Sequence, residues 1–184
     1  NGEIYNADSV KESLLKDFKL NSDSDCEVLI PSFLLYKEEM FKFLDGVFSF
    51  IIIEESNNEI KYFIARDRIG IRPLYFGEDK YGNYIFSSEL KGMKDIAIKA
   101  EQFKPSSYML IDSNKNTEYI SYFKLIDSFD YEYNEEDDSL YRLINSTLTK
   151  CVEKRLISDR PICALLSGGL DSSLVCSIAS KILK

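Results

Sequence analysis

The chain has no histidine among its 184 residues, and that absence removes whole classes of chemistry. No Ser-His-Asp or Cys-His relay and no histidine-bound zinc can be built from it. Cysteine is scarce too. Cys26, Cys151, Cys163 and Cys176 stand too far apart for a CxxC pair and are too few for a disulfide scaffold, so buried free thiols are expected. Basic residues number 23 against 31 acidic ones, the net charge is −8, and lysine and arginine nowhere cluster. Without a basic footprint, neither nucleic acid nor an anionic membrane is expected as a partner. No apolar run nears the roughly 20 residues that cross a bilayer, and the opening NGEIYNADSV has neither a basic start nor an apolar signal core. A cytoplasmic protein is the expectation.

What is present is a globular composition, 45% apolar, with enough length to bury a core. Residues 7–18 place Val10, Leu14 and Leu15 on one helical face, with Asp8 or Ser9 as cap. Leu34, Leu35, Phe41 and Leu44 suit a second helix. The β-branched and aromatic run from Val47 to Ile53, the turn Ser56-Asn57-Asn58 and the answering IKYFIARD predict a hairpin. Further strands are expected at RPLYFGE, NYIFSSE and SYMLIDS, with turns at Tyr81-Gly82-Asn83 and over Ser113 to Asn116, so 47–125 reads as mostly antiparallel sheet. The acidic stretch at 127–138 is the expected linker. It divides a first domain, 1–126, from a second, 139–184. That second part reads as an amphipathic helix, an apolar strand from Ile162 to Leu166, a glycine turn and a helix from about Asp171 to Leu183, the start of a parallel α/β unit.

The turn SGGLDSS carries the clearest chemistry. A strand that ends in glycines and opens a helix aims backbone N–H groups at one spot, where the helix dipole favours an anion. Ser167, Ser172 and Ser173 add hydroxyl donors, but the lysine of the common nucleotide loop is missing. Asp171 beside phosphate calls for a cation, and magnesium would serve. The plain alternative is a strand-to-helix turn with Asp171 as a cap.

SGGLDSS resembles the pyrophosphate loop of the ATP pyrophosphatases, a motif shared by several synthetases. That resemblance implies phosphate binding by Ser167, Gly168, Gly169, Leu170, Asp171, Ser172 and Ser173, Leu165 near the adenosine, and Mg2+ on Asp171. NGEIYN, SDCE, LDGVFSF, ARDRIGIRPLYF and FSSELKGM, in that order, resemble the glutaminase domain of the glutamine-hydrolysing asparagine synthetases. This second resemblance implies an oxyanion hole formed by Asn1 and Gly2, and binding of the substrate ammonium by Glu3 and Asp25. It also implies ATP, glutamine and aspartate as substrates and a homodimer for the full-length protein. The fold it implies is α+β then α/β: an N-terminal-nucleophile-type αββα sandwich, incomplete at its N-terminus, then the start of a parallel-sheet ATP-pyrophosphatase (HUP-like) domain. The family's nucleophile is an N-terminal cysteine, and none of the four cysteines takes that place, so an internal segment of a larger enzyme is expected. Glu89 and the segment ARDRIGIRPLYF read as scaffold, with Asp67 paired to Arg66 or Arg68. A β-lactam-synthetase-like amidotransferase and a non-catalytic binding module stand as alternatives.

Overall fold

The structure, a computed structural model, describes residues 1–124 and 138–184. The chain divides into two compact units, Asn1–Ser128 and Phe129–Lys184. Apart from Asp138, the acidic linker expected at 127–138 lies outside the described residues.

The first unit is built on two antiparallel sheets. One runs in the order β1 (Gly2–Ile4), β2 (Gly46–Ser56), β3 (Glu59–Arg66), β7 (Ser107–Ile111), β8 (Thr117–Ser121). The other runs β5 (Tyr84–Ser87), β4 (Tyr75–Asp79), β6 (Ala97–Gln102). The predicted hairpin is β2 and β3. Its turn residues Asn57 and Asn58 both have left-handed φ, 52° and 63°, as a two-residue turn matched to strand twist requires. Period-two alternation splits the sheet residues between two cores. Phe48, Ile52, Phe63 and Ala65 face the helical side, with α1 (Ala7–Leu14) and α2 (Leu29–Tyr36), while Ile64, Met109 and Ile111 meet Leu74 and Phe103 of the second sheet's side. Both predicted turns form around an aspartate, Asp79 or Asp112, that accepts from the amides of residues two and four further on and from the asparagine at the fourth.

Three expectations for the helical layer need correction. The first helix ends at Leu14, and its N-cap is Asn6, not Asp8 or Ser9. Asn6 makes no cap hydrogen bond, because its side chain donates to Phe43 O at 2.7 Å and accepts from Asp45 N at 2.9 Å. The second helix is interrupted at Lys37, whose φ is 48°, and continues as a 3-10 stretch, Lys37–Lys42. Of the four residues assigned to it, Leu34 and Leu35 lie on α2 and are exposed, Phe41 lies on the 3-10 stretch and Leu44 beyond it, and both of these are buried. Phe41 enters the core from the 3-10 stretch and stacks on Tyr122 at 4.0 Å.

The second unit contains α3 (Asp138–Glu153) and α4 (Leu170–Ile182), close to the spans predicted. The strand expected at Ile162 to Leu166 is not formed: a strand exists through its ladder, and the unit supplies no pairing strand among the described residues. Val152 is the buried apolar residue of α3, and none of α4 is buried. The cysteines are free, as expected, but not buried. Cys26 and Cys163 are exposed, Cys151 and Cys176 half-buried.

Candidate functional site

The first site is set by the short strand β1. Asn1 and Ser49 exchange two hydrogen bonds, Asn1 N to Ser49 O at 3.1 Å and Ser49 N to Asn1 O at 2.8 Å. In an antiparallel ladder such pairs alternate with pairs whose polar groups point outward. Gly2, paired with Phe48, is therefore turned so that its N–H faces away from β2. Two residues on, Ile4 N faces the same way and donates to Asp25 Oδ2 at 2.6 Å. The alternation thus puts the Gly2 amide and the Asp25 carboxylate on one side of β1.

Glycine is required at position 2 by close approach. A Cβ there would press into the Val47 carbonyl oxygen and lie 2.7 Å from Phe48 Cα, and Gly46 meets the same limit against Glu3 O. The sequence-predicted residues Asn1, Gly2, Glu3 and Asp25 are brought together, since the 3-10 turn Asp25–Val28 packs on β1. Cys26 joins this cluster. Its thiol donates to Asp25 Oδ2 at 3.6 Å, and although the residue is exposed, partial desolvation of the sulfur, with the neighbouring Asp25 carboxylate next in weight, pushes its pKa up. A thiol held protonated beside carboxylates is the reverse of an activated nucleophile. The signal for its presence was adjacency to Asp25 in SDCE.

The ARDRIG segment is scaffold, but not through the ion pair expected. Arg66 donates to three carbonyl oxygens, of Arg72, Phe103 and Gly70, while Asp67 accepts only backbone amides. A charged strand end satisfies its groups with backbone when a tight loop turns around it. Glu89 pairs with Lys91 at 2.7 Å, in keeping with a structural role.

The second site is the turn before α4. Gly168 has φ 85°, and nothing lies within 4 Å of where its Cβ would be. Gly169 caps α4 without a side-chain bond, so the first-turn amides face outward unassisted. Ser172 and Ser173 hydroxyls turn back to Gly169 O at 3.1 and 2.7 Å, and Ser167 Oγ lies 2.9 Å from Ser172 Oγ. Asp171 is in the first turn, Leu165 is 98% exposed, and Leu170 is exposed. Among the described residues, no group of three or more carboxylate or thiol side chains could hold a metal. Asp171 is the one carboxylate of this turn, so a magnesium ion held there would take its other ligands from phosphate and water.

Comparison with known proteins agrees with both halves. The solved structure of an allosteric regulatory enzyme of purine biosynthesis aligns over 97% of this chain and 42% of its own, at TM-score 0.59 and 16% identity. The Bacillus subtilis glutamine phosphoribosylpyrophosphate amidotransferase complexed with ADP and GMP aligns over 98% and 43%, at TM-score 0.57 and 16% identity. The fold of the chain is thus that of the N-terminal-nucleophile amidotransferases. The glutamine amidotransferase domain family matches residues 1–141 and the asparagine synthase family residues 143–184, and the chain belongs to the glutamine amidotransferase domain family. Curated relatives include a probable glutamine-hydrolysing asparagine synthetase of Acanthamoeba polyphaga mimivirus, 37% identical over 100% of this chain and 36% of its own length. Asparagine synthetase B of Escherichia coli is 34% identical over 98% of this chain and 32% of its length, and the Pisum sativum root enzyme is 38% identical over 100% and 30%. The chain spans about a third of the length of these relatives.

Proposed function

We propose that this chain serves the ATP-dependent synthesis of asparagine from aspartate with glutamine as nitrogen donor, residues 1–126 in the glutaminase half and 139–184 in the synthetase half. The observation that carries the reading is the outward Gly2 amide on the same side of β1 as Asp25. Hydrolysis of the glutamine amide builds negative charge on its carbonyl oxygen, and donors already aimed at that oxygen stabilise the transition state most. Gly2 N–H and the Asn1 side-chain amide are those donors. Glu3 and Asp25 hold the glutamine ammonium, and because protein donors occupy Asp25 Oδ2, Oδ1 is the oxygen left for it. Cys26 stays a thiol and takes no covalent part.

In the other half, Ser167 to Ser173 cradle the pyrophosphate portion of ATP, with Leu165 beside the adenosine. The Gly168 opening and the uncapped α4 amides support this. Magnesium, on Asp171, would neutralise phosphate charge. The aspartate side-chain carboxylate attacks the α-phosphorus and pyrophosphate leaves. Ammonia then attacks the acyl carbon, and AMP departs with the carboxylate oxygen. Among the described residues no helix is long and apolar enough to cross a membrane; a cytoplasmic enzyme and a homodimer are the proposed setting and assembly.

The test is Asp171→Ala in the native protein that carries this chain, with AMP and glutamate followed separately. AMP formation is expected to fall at least 100-fold while glutaminase activity persists, and AMP formation at the wild-type rate would overturn the assignment. Asparagine as product from aspartate separates this reading from a β-lactam-synthetase-like acceptor.

A further inference from the structure

The proposed chemistry leaves the segment ARDRIGIRPLYF without a function, yet it holds a fully buried carboxylate. Asp67 is 1% exposed, and its oxygens accept five backbone N–H groups. Oδ1 takes Ile69, Gly70 and Ile71 at 3.1, 2.7 and 2.9 Å, and Oδ2 takes Arg72 at 3.0 Å. Four donors from one loop would suffice to shape that loop. The fifth comes from elsewhere: Phe48 N, on β2, reaches Oδ2 at 3.2 Å, and Asp67 N returns a bond to Phe48 O at 2.8 Å.

Phe48 is the β2 residue opposite Gly2. Asn1 and Ser49 use the bonded position between β1 and β2, so the N–H and C=O of Phe48 point toward β3. There the regular ladder has already ended, at Ser49 opposite Arg66. Asp67 supplies both missing partners, one with its backbone and one with its side chain. Gly2, with no room for a Cβ against Phe48, follows wherever Phe48 is held. Gly2, Phe48 and Asp67 thus form one lateral row across the sheet.

We infer that Asp67 is a positioning residue for the oxyanion-hole backbone: it fixes Phe48, and Phe48 in turn sets the direction of the Gly2 N–H. The inference rests on the oxyanion role proposed for Gly2. It gives the ARDRIG motif a part in glutamine hydrolysis beyond shaping its own loop. An asparagine at 67 would set an NH2 group, or a single remaining acceptor, against five donors, so the Phe48 bond would be lost or shared.

The test compares Asp67→Asn with Arg66→Lys, which loosens the grip on Gly70, Arg72 and Phe103 but leaves the Phe48 bonds. In this chain, amide hydrogen exchange and the Gly2 amide resonance are followed. Asp67→Asn is expected to speed exchange at Phe48 at least tenfold and to shift the Gly2 resonance, while Arg66→Lys leaves both in place. In the native protein carrying the chain, Asp67→Asn should lower glutaminase kcat about 100-fold with KM for glutamine within about twofold, and leave ammonia-dependent synthesis intact. Equal changes at Gly2 in both variants, or none in Asp67→Asn, would overturn the inference. A shifted Gly2 with unchanged kcat would support the coupling and overturn the oxyanion assignment instead. Should Asp67→Asn fail to fold, Asp67→Glu, which keeps the charge and displaces it by one methylene, is read in the same way.

Discussion

In the first unit a side chain at Gly2 would collide with the backbone of Val47 and Phe48, whereas in the second a side chain at Gly168 would meet nothing within 4 Å. Both glycines belong to proposed anion sites, but they serve for different reasons. Gly2 is fixed by neighbours that are themselves fixed, through Phe48 and the buried Asp67. Gly168 is chosen for its left-handed φ of 85° alone, in a turn whose hydroxyls bond one another and the Gly169 carbonyl. The two sites therefore have different work to do on binding. A donor set held by buried partners meets its oxyanion without reorganisation. A loop whose serines are turned inward must rotate them outward to meet phosphate, and part of its binding energy goes to that ordering.

Adding one methyl group to each glycine should separate the two sites most clearly. Gly2→Ala should separate β1 from β2 and lower glutaminase kcat by about 100- to 1000-fold, the cost of losing an oxyanion donor, measured as glutamate release. Gly168→Ala meets no steric barrier and should cost only about 1 kcal/mol of backbone strain, measured by urea unfolding of the second unit. If Gly168→Ala proved as damaging as Gly2→Ala, the loop would be as rigidly built as the strand.

The smallest effect concerns Cys26. Partial desolvation of the sulfur and Asp25 raise its thiol pKa, so at a pH below that raised value less thiolate is present than in the unfolded chain. Alkylation of Cys26 should accordingly be slower in the folded chain than in urea at pH 8, and the gap should narrow as pH rises through the folded pKa. Peptide mass mapping gives the rate at each pH, and folded-state alkylation as fast as in urea would remove Cys26 from the cluster.

The sequence was readable where local chemistry decides the outcome. Asn57 and Asn58 tolerate positive φ, so the β2–β3 hairpin followed from its turn, α3 followed from its apolar stripe, and α4 from the glycine turn that opens it. It was not readable where distant contacts decide. Lys37 takes a left-handed φ that no propensity favours, and it splits what reads as one helix. Asn6 spends its side chain on residues 43 and 45, which no local capping rule foresees. Asn1, Gly2, Glu3 and Asp25 were named from resemblance, yet their convergence needed the packing of the Asp25–Val28 turn on β1. Asp67 was legible as a charge in a turn, but its tie to Phe48 spans 19 residues and appears only in the fold.

Amide hydrogen exchange along β1 reads the direction of the Gly2 N–H. If the ladder alternates as described, Glu3 N–H is protected by Val47, Ile4 N–H is protected by Asp25 and is released by Asp25→Ala, and Gly2 N–H exchanges rapidly in both proteins. A Gly2 amide as protected as that of Glu3 would mean that it points into the sheet and cannot serve as an oxyanion donor, and the glutaminase account of the first unit would fall.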